Sequence, residues 1–348
     1  MERGDWVELG KTTILDILDR EYAATVREFE ARASNSVWGK NASHIDPDLL
    51  SQARRELLTE GRIQADSAST KGGRTVTTFS PSNQRLISTR ISLAAARKRL
   101  LTSRHQSWSH STDRYPGGLI GRAGEEALIN ALRDLDPYSY VDHGTAKYDG
   151  VAIAGGPLDA SAFLTTPSVP PISFLVLAEM KNQRQWFYAG EPQLHRFLFK
   201  AASLQVAHPD VPILPVFVSS RRHNTAYQLG RELGFYAVRY EAQYVLPMSE
   251  VPEESLAEVA VELGFIDLRR STTPNNRLKR ALGQSLPRNA QEVAERWAAV
   301  APSIVPTVAR LMAPGRSDDT DALLDKLHEV AARAGSPFDY QPLETTRL

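Results

Sequence analysis

Glu179 and Lys181 close an apolar run, Phe174-Leu175-Val176-Leu177-Ala178, that reads as a buried strand. Side chains alternate along a strand, so the acid and the amine point to one face and Met180 to the other. A carboxylate is a ligand for hard cations, and an ammonium beside it neutralises developing negative charge. Two charges at the end of a core strand are otherwise costly unless they pair with each other or reach water. On its own the pair fits either a working site or a strand-end ion pair.

Two further acids stand in unusual places. In Gly121-Arg122-Ala123-Gly124-Glu125-Glu126 a helix begins whose apolar positions Leu128, Ile129 and Leu132 fall three, four and seven residues after Glu125. This puts Glu125 on the apolar stripe, whereas Glu126 lies about 100° further round and reads as surface. A first-turn Glu also complements the helix dipole. Lys147-Tyr148-Asp149-Gly150-Val151-Ala152-Ile153-Ala154 reads as one strand opening on Asp149, expected to lie beside the Glu179 strand. Asp159, after Pro157-Leu158, is the rival acid, placed by its composition in a Pro- and Ser-rich loop.

The order Gly121…Glu125, Asp149, Glu179-Met180-Lys181 resembles the PD-(D/E)xK nuclease superfamily, across roughly residues 119 to 246. One departure is that Tyr148, and not Pro, precedes Asp149. The resemblance implies a restriction-endonuclease-like mixed α/β sheet flanked by helices. It also implies Mg²⁺ or Mn²⁺ held by Asp149, Glu179, the Met180 carbonyl and, directly or through water, Glu125. Lys181 would orient the attacking water and neutralise charge on the phosphate, leaving a 5′-phosphate and a 3′-hydroxyl. Arg184 and Lys200 follow closely enough to meet phosphates. His195 and His223 lack partners at metal-binding spacing and read as surface or core histidines. Trp186-Phe187-Tyr188 reads as packing more readily than as a base-stacking platform.

The elements that must position these residues follow from periodicity. Helix at Gln193–Leu204, strand at Val211–Ser219, helix at Thr225–Leu233 closed by Gly234, and strand at Phe235–Tyr240 make an α/β alternation. Upstream, Lys11–Ala33 carries two amphipathic helices, and Asp46-Pro47 starts a third that ends at Gly61. Two short strands around Lys71-Gly72-Gly73 then form a hairpin. That element order resembles a winged-helix DNA-binding domain, with Arg54 and Arg55 on the groove-facing helix and Lys71 and Arg74 on the wing. Residues 85–118 read as a basic helical connector with Arg97 and Lys98 as phosphate contacts. The expected divisions are a winged-helix-like domain at 1–84, the connector at 85–118, a nuclease-like domain at 119–247 and a mainly helical region at 248–348.

Composition sets the outer limits. The chain has 348 residues, 42% hydrophobic and 24% charged, enough for two or three domains. It contains no cysteine, which excludes disulfides, thiolate zinc sites and a thiol nucleophile. The net charge of zero conceals eleven Lys/Arg against three Asp/Glu between residues 49 and 110, a surface suited to a polyanion. No apolar run approaches the roughly 18 residues of a membrane span, and the first residues lack an apolar leader, so a cytoplasmic protein without membrane contact is expected. Three functions follow. One is a metal-dependent DNA endonuclease of restriction, phage defence, repair or transposition, acting on double-stranded DNA alone or as a homodimer. The second is a catalytically inactive nuclease-fold protein that binds DNA or regulates. The third is a nuclease for RNA or nucleic-acid ends whose N-terminal domain grips a protein.

Overall fold

The computed structural model describes residues 2–35, 44–69, 75–82, 87–115, 117–167, 170–249, 251–313, 319–335 and 337. The chain opens with α1 (Arg3–Glu21), α2 (Val26–Asn35), α3 (Pro47–Thr59), β1 (Ile63–Ser69), β2 (Thr75–Pro81), α4 (Ser88–Ser107) and α5 (Gly118–Arg133). Strands β3 (Tyr138–His143), β4 (Lys147–Tyr148), β5 (Val151–Ala152), β6 (Ala160–Thr166) and β7 (Ile172–Lys181) follow. Then come α6 (Pro192–Ala207), β8 (Ile213–Ser219), α7 (Asn224–Leu233), β9 (Tyr236–Arg239), β10 (Gln243–Val245) and α8 (Glu253–Glu262). The chain ends with β11 (Leu268–Arg270), α9 (Asn276–Arg280), a π-helical turn at Ala281–Ser285, α10 (Leu286–Met312) and α11 (Thr320–Arg333). None of the described helices is long and apolar enough to cross a membrane.

These elements form two compact units, Met1–Leu119 with Pro247–Leu268, and Ile120–Leu246 with Arg269–Leu348. In the first, Asp46 caps α3 by accepting the Asp48 N–H at 2.8 Å, and Pro47 occupies the first turn, where its missing donor costs nothing. Gly61 follows α3 at φ +66°, the left-handed backbone that a helix exit favours. β1 and β2 form an antiparallel hairpin, and Ala24 bridges to Phe79 on its far strand. Ile14, Leu18, Phe29, Leu50, Leu57 and Phe79 make the shared core. Helix α4 lies on β2 and contributes the buried Lys98 to this unit. The C-terminal region is divided too: Pro247–Leu268 belongs to the first unit, the remainder to the second.

The second unit is built on a five-stranded sheet of order β3-β6-β7-β8-β9. β3, β6 and β7 run antiparallel, whereas β7, β8 and β9 are parallel, joined through α6 and α7. β7 is the member common to both halves and is buried from Phe174 to Met180. On one face, Leu175 and Leu177 join a core with Phe197, Phe217, Trp297 and Val300 under α6 and α10. The other face meets α5 so closely that a Cβ on Gly124 would lie 2.5 Å from Asn182 Cβ and 3.3 Å from Met180 Cγ. Only glycine permits that approach.

Candidate active site

Because Leu175, Leu177, Glu179 and Lys181 alternate with the residues facing α5, the charged pair continues the apolar face of β7 beyond the core. Glu179 is 5% exposed, and both of its oxygens are engaged. Lys181 Nζ donates to Oε1 at 2.8 Å and Lys200 Nζ donates to Oε2 at 3.0 Å. Lys200 reaches in from α6, is 4% exposed, and also donates to the Pro157 carbonyl at 2.6 Å. It is an internal counter-ion beneath the site, in contrast to the surface phosphate contact expected from its position in sequence.

The second acid at this point is Asp159. It immediately precedes β6, whose Ala160 pairs with Ala178 of β7, so the antiparallel register brings it alongside Glu179. Its Oδ2 accepts the Met180 N–H at 2.7 Å and lies 3.7 Å from Lys181 Nζ. Burial, and then the negative Glu179, push the Asp159 carboxyl up to about 6, against the opposing pull of Lys181 and the Met180 N–H. Burial by itself would lower the Lys181 ammonium, but Asp159 and Glu179 outweigh it and hold its pKa above the ordinary value.

Asp149 is elsewhere. The segment expected as a single strand is a tight hairpin: Lys147–Tyr148 and Val151–Ala152 pair antiparallel, outside the main sheet. Asp149 and Gly150, at φ +44° and +78°, form its two-residue turn. An Asp-Gly pair suits such a turn because both positions require left-handed backbone. Asp149 is exposed there, and the strand paired with β7 is β6, which follows directly on Asp159. The structure therefore gives Asp159 the place that the sequence reading assigned to Asp149.

Glu125 stands at the margin of the same site. Its Oε2 is 3.0 Å from His143 Nε2 and 3.4 Å from Arg122 Nη1, and its charge adds to the forces raising Asp159. It is not buried among the apolar residues of its stripe, because the stripe runs out at this end of α5. Asn182, directly after the charged pair, is a buried clasp. Its amide donates to the Ile120 and Tyr244 carbonyls at 2.6 and 2.8 Å, and its Oδ1 accepts from Tyr240 Oη and the Tyr244 N–H, each at 2.8 Å. All its hydrogen-bonding capacity goes to fixing the end of β7.

The other expected contacts divide sharply. Arg184 is buried and donates through Nε to Gln243 at 3.0 Å. Lys98 is buried against Glu21 and Glu28 at 2.8 and 2.7 Å. Arg97 pairs with Glu258. Arg184 and Lys98 are buried where exposed positions were expected, and the half-exposed Arg97 is held in an ion pair. Arg54 lies over the Phe79 ring at 5.1 Å, and Arg55 is exposed on α3. Lys71 and Arg74 lie outside the described residues. His195 is a core residue bonded to the Ala189 carbonyl at 2.8 Å, and His223 caps α7. Phe187 is fully buried. Asp159 stood in the sequence as the rival acid after Pro157-Leu158, and Lys200 as a phosphate contact; His143 left no signal there.

The arrangement concentrates hard oxygen donors beside two ammonium groups. Asp159 and Glu179, with Glu125 at the margin, are oxygen donors of the kind that could hold a divalent cation, and burial together with the neighbouring Glu179 charge keeps the Asp159 pKa raised. Such a set can bind and polarise a phosphoryl oxygen and stabilise negative charge that develops on it. Comparison with protein-family models, curated proteins and solved structures finds no match for the chain.

Proposed function

We propose that the chain is a Mg²⁺- or Mn²⁺-dependent nuclease of the PD-(D/E)xK type that hydrolyses phosphodiester bonds in DNA, with Asp159 in the aspartate position. One observation carries this: Asp159, Glu179 and Lys181 converge at the shared end of two paired antiparallel strands, with the Lys181 ammonium within 2.8 Å of one carboxylate and 3.7 Å of the other. The sequence α5, antiparallel β3-β6-β7, crossover α6 and parallel β8 supports the restriction-endonuclease-like fold. In the first unit, three helices, the β1–β2 hairpin and the Ala24–Phe79 bridge support a winged helix, with exposed Arg55 on α3 toward DNA.

Asp159 and Glu179 would hold the cation, which supplies Lewis acidity at the scissile phosphate and an acidified water. Lys181, tied to both acids, would move its ammonium onto the phosphate and neutralise charge as water adds to phosphorus and the P–O3′ bond breaks, the 3′-oxygen leaving with a proton taken from solvent. Met180 keeps Asp159 aligned through its N–H, and Asn182 keeps the strand end from shifting. Glu125, oriented by His143 and Arg122, receives the proton released by the attacking water, directly or through a second water.

Supercoiled plasmid and a structured RNA of similar length, each incubated with protein and Mg²⁺, Mn²⁺ or chelator, test the reading. Divalent-dependent cutting of plasmid that is lost in Asp159→Asn, Glu179→Ala and Lys181→Ala is expected. Cutting that persists in all three variants would sink the site, and cutting confined to RNA would replace the substrate.

A further inference from the structure

Two lysines bind Glu179, but they are held differently. Lys181 stands at the strand end with its ammonium between the two acids, where a cation would share their oxygens. Lys200 approaches from behind. Its ammonium takes Glu179 Oε2 at 3.0 Å and the Pro157 carbonyl at 2.6 Å, and the residue is 4% exposed under α6. With two acceptors and almost no access to water, Lys200 stays in place when a ligand reaches the front of the site. A buried ammonium that left these partners without reaching water would be an uncompensated internal charge.

Resting on the metal-site reading above, we propose that Lys200 confines Glu179 to a single metal-facing oxygen and so selects Mg²⁺ and Mn²⁺ over Ca²⁺. The chemistry follows from coordination. Ca²⁺ takes six to eight oxygens and readily accepts a carboxylate through both of them, whereas Mg²⁺ requires near-octahedral geometry with few carboxylates and retained waters. With Oε2 committed to Lys200, Glu179 can offer only Oε1, and only once Lys181 releases it. Because Pro157 lies two residues before Asp159, the same ammonium also ties the Asp159 approach to Glu179 and limits how far the two acids can spread around a larger ion. Lys200 is a positioning residue: it acts through Glu179 and touches neither metal nor phosphate.

The test is the thermal midpoint of the intact chain titrated with MgCl₂, MnCl₂ or CaCl₂, which yields apparent affinities by linkage without any activity measurement. Lys200→Met is compared with Lys200→Gln, which keeps one donor at neutral charge, and with Lys200→Arg, which keeps the charge. The Mg²⁺-to-Ca²⁺ affinity ratio is expected to fall about tenfold in Lys200→Met, in the range typical of changes to groups that orient metal ligands, and to be retained best in Lys200→Arg. Should Lys200→Met fail to fold, Lys200→Leu, which likewise offers Oε2 no donor, carries the same expectation. Equal changes in both affinities, or an unchanged ratio, overturn the selectivity role while leaving the metal site standing. A wild-type chain whose midpoint responds to none of the three ions overturns the metal reading itself and the role of Lys200 with it.

Discussion

The backbone N–H of Met180 and the carboxylate of Asp159 are joined by a 2.7 Å hydrogen bond, so the residue between Glu179 and Lys181 fixes the acid on the neighbouring strand. Asp159→Asn retains the side-chain shape and its acceptor oxygen but removes a charged ligand. It is expected to lower cleavage by on the order of 10³-fold, the scale of several kcal/mol of transition-state stabilisation. Asp149→Asn, in an exposed turn where Asn-Gly is equally suited, should leave cleavage within about twofold of wild type. Single-turnover rates on one plasmid substrate separate the two.

Stability in chelator should depend on pH through the same carboxyl. Asp159 titrates near 6 in the folded chain and near 3.8 once the chain is unfolded and the side chain is in water, so between these values the folded state binds the extra proton. Unfolding free energy therefore falls as pH rises from 4 to 6, by about 3 kcal/mol at most, and is flat with respect to this group outside that window. Urea unfolding across the range is expected to show this slope in the wild type and its loss in Asp159→Asn. An identical slope in both assigns it to other groups.

Gly124 and Gly121 occupy the same helix with opposite consequences. Gly124→Ala drives a methyl to 2.5 Å from Asn182 Cβ, and separating α5 from β7 is expected to cost about 1–3 kcal/mol and to impair cleavage. Gly121 has open space around its Cβ position, so Gly121→Ala should stabilise the helix by about 0.5–1 kcal/mol with cleavage unchanged. Thermal midpoints moving in opposite directions are the expected result.

Lys98 provides a test in the first unit. Its ammonium meets the fully buried Glu28, whose pKa burial raises although Lys98 and Arg32 draw it down. Lys98→Met leaves the buried Glu28 with Arg32 as its remaining cation and should destabilise by about 1–3 kcal/mol, whereas Lys98→Met with Glu28→Gln should recover much of the loss. Equilibrium unfolding of the single and double variants decides between this and a surface role.

Most of the fold was legible because it rests on local signals. Asp46-Pro47 marked the start of α3, Gly234 the end of α7, and the apolar run at Phe174–Ala178 the central strand. Glu179 and Lys181 were legible from alternation alone. Asp149 misled because Lys147–Tyr148 and Val151–Ala152 read as one continuous strand, while Asp149-Gly150 between them is a turn. Strand β6 was hidden by composition: Ala160, Ser161 and Ala162 are small residues that pair with β7 where little space remains. Lys200 was legible as a cation, but its burial depends on α6 crossing β7, a relation between distant residues that periodicity does not encode.

The antiparallel pairing of β6 with β7 also bears on the order in which the site is assembled. Asp159 and Met180 are 21 residues apart, so the acids and Lys181 meet within one hairpin, at small entropic cost of closure. Lys200 arrives only with α6, and β8 pairs with β7 only after that helix has crossed over. The hairpin alone thus sets two carboxylates against one ammonium, and the second, buried ammonium comes from outside it. The packing of α6 offsets the acid that the hairpin leaves in excess.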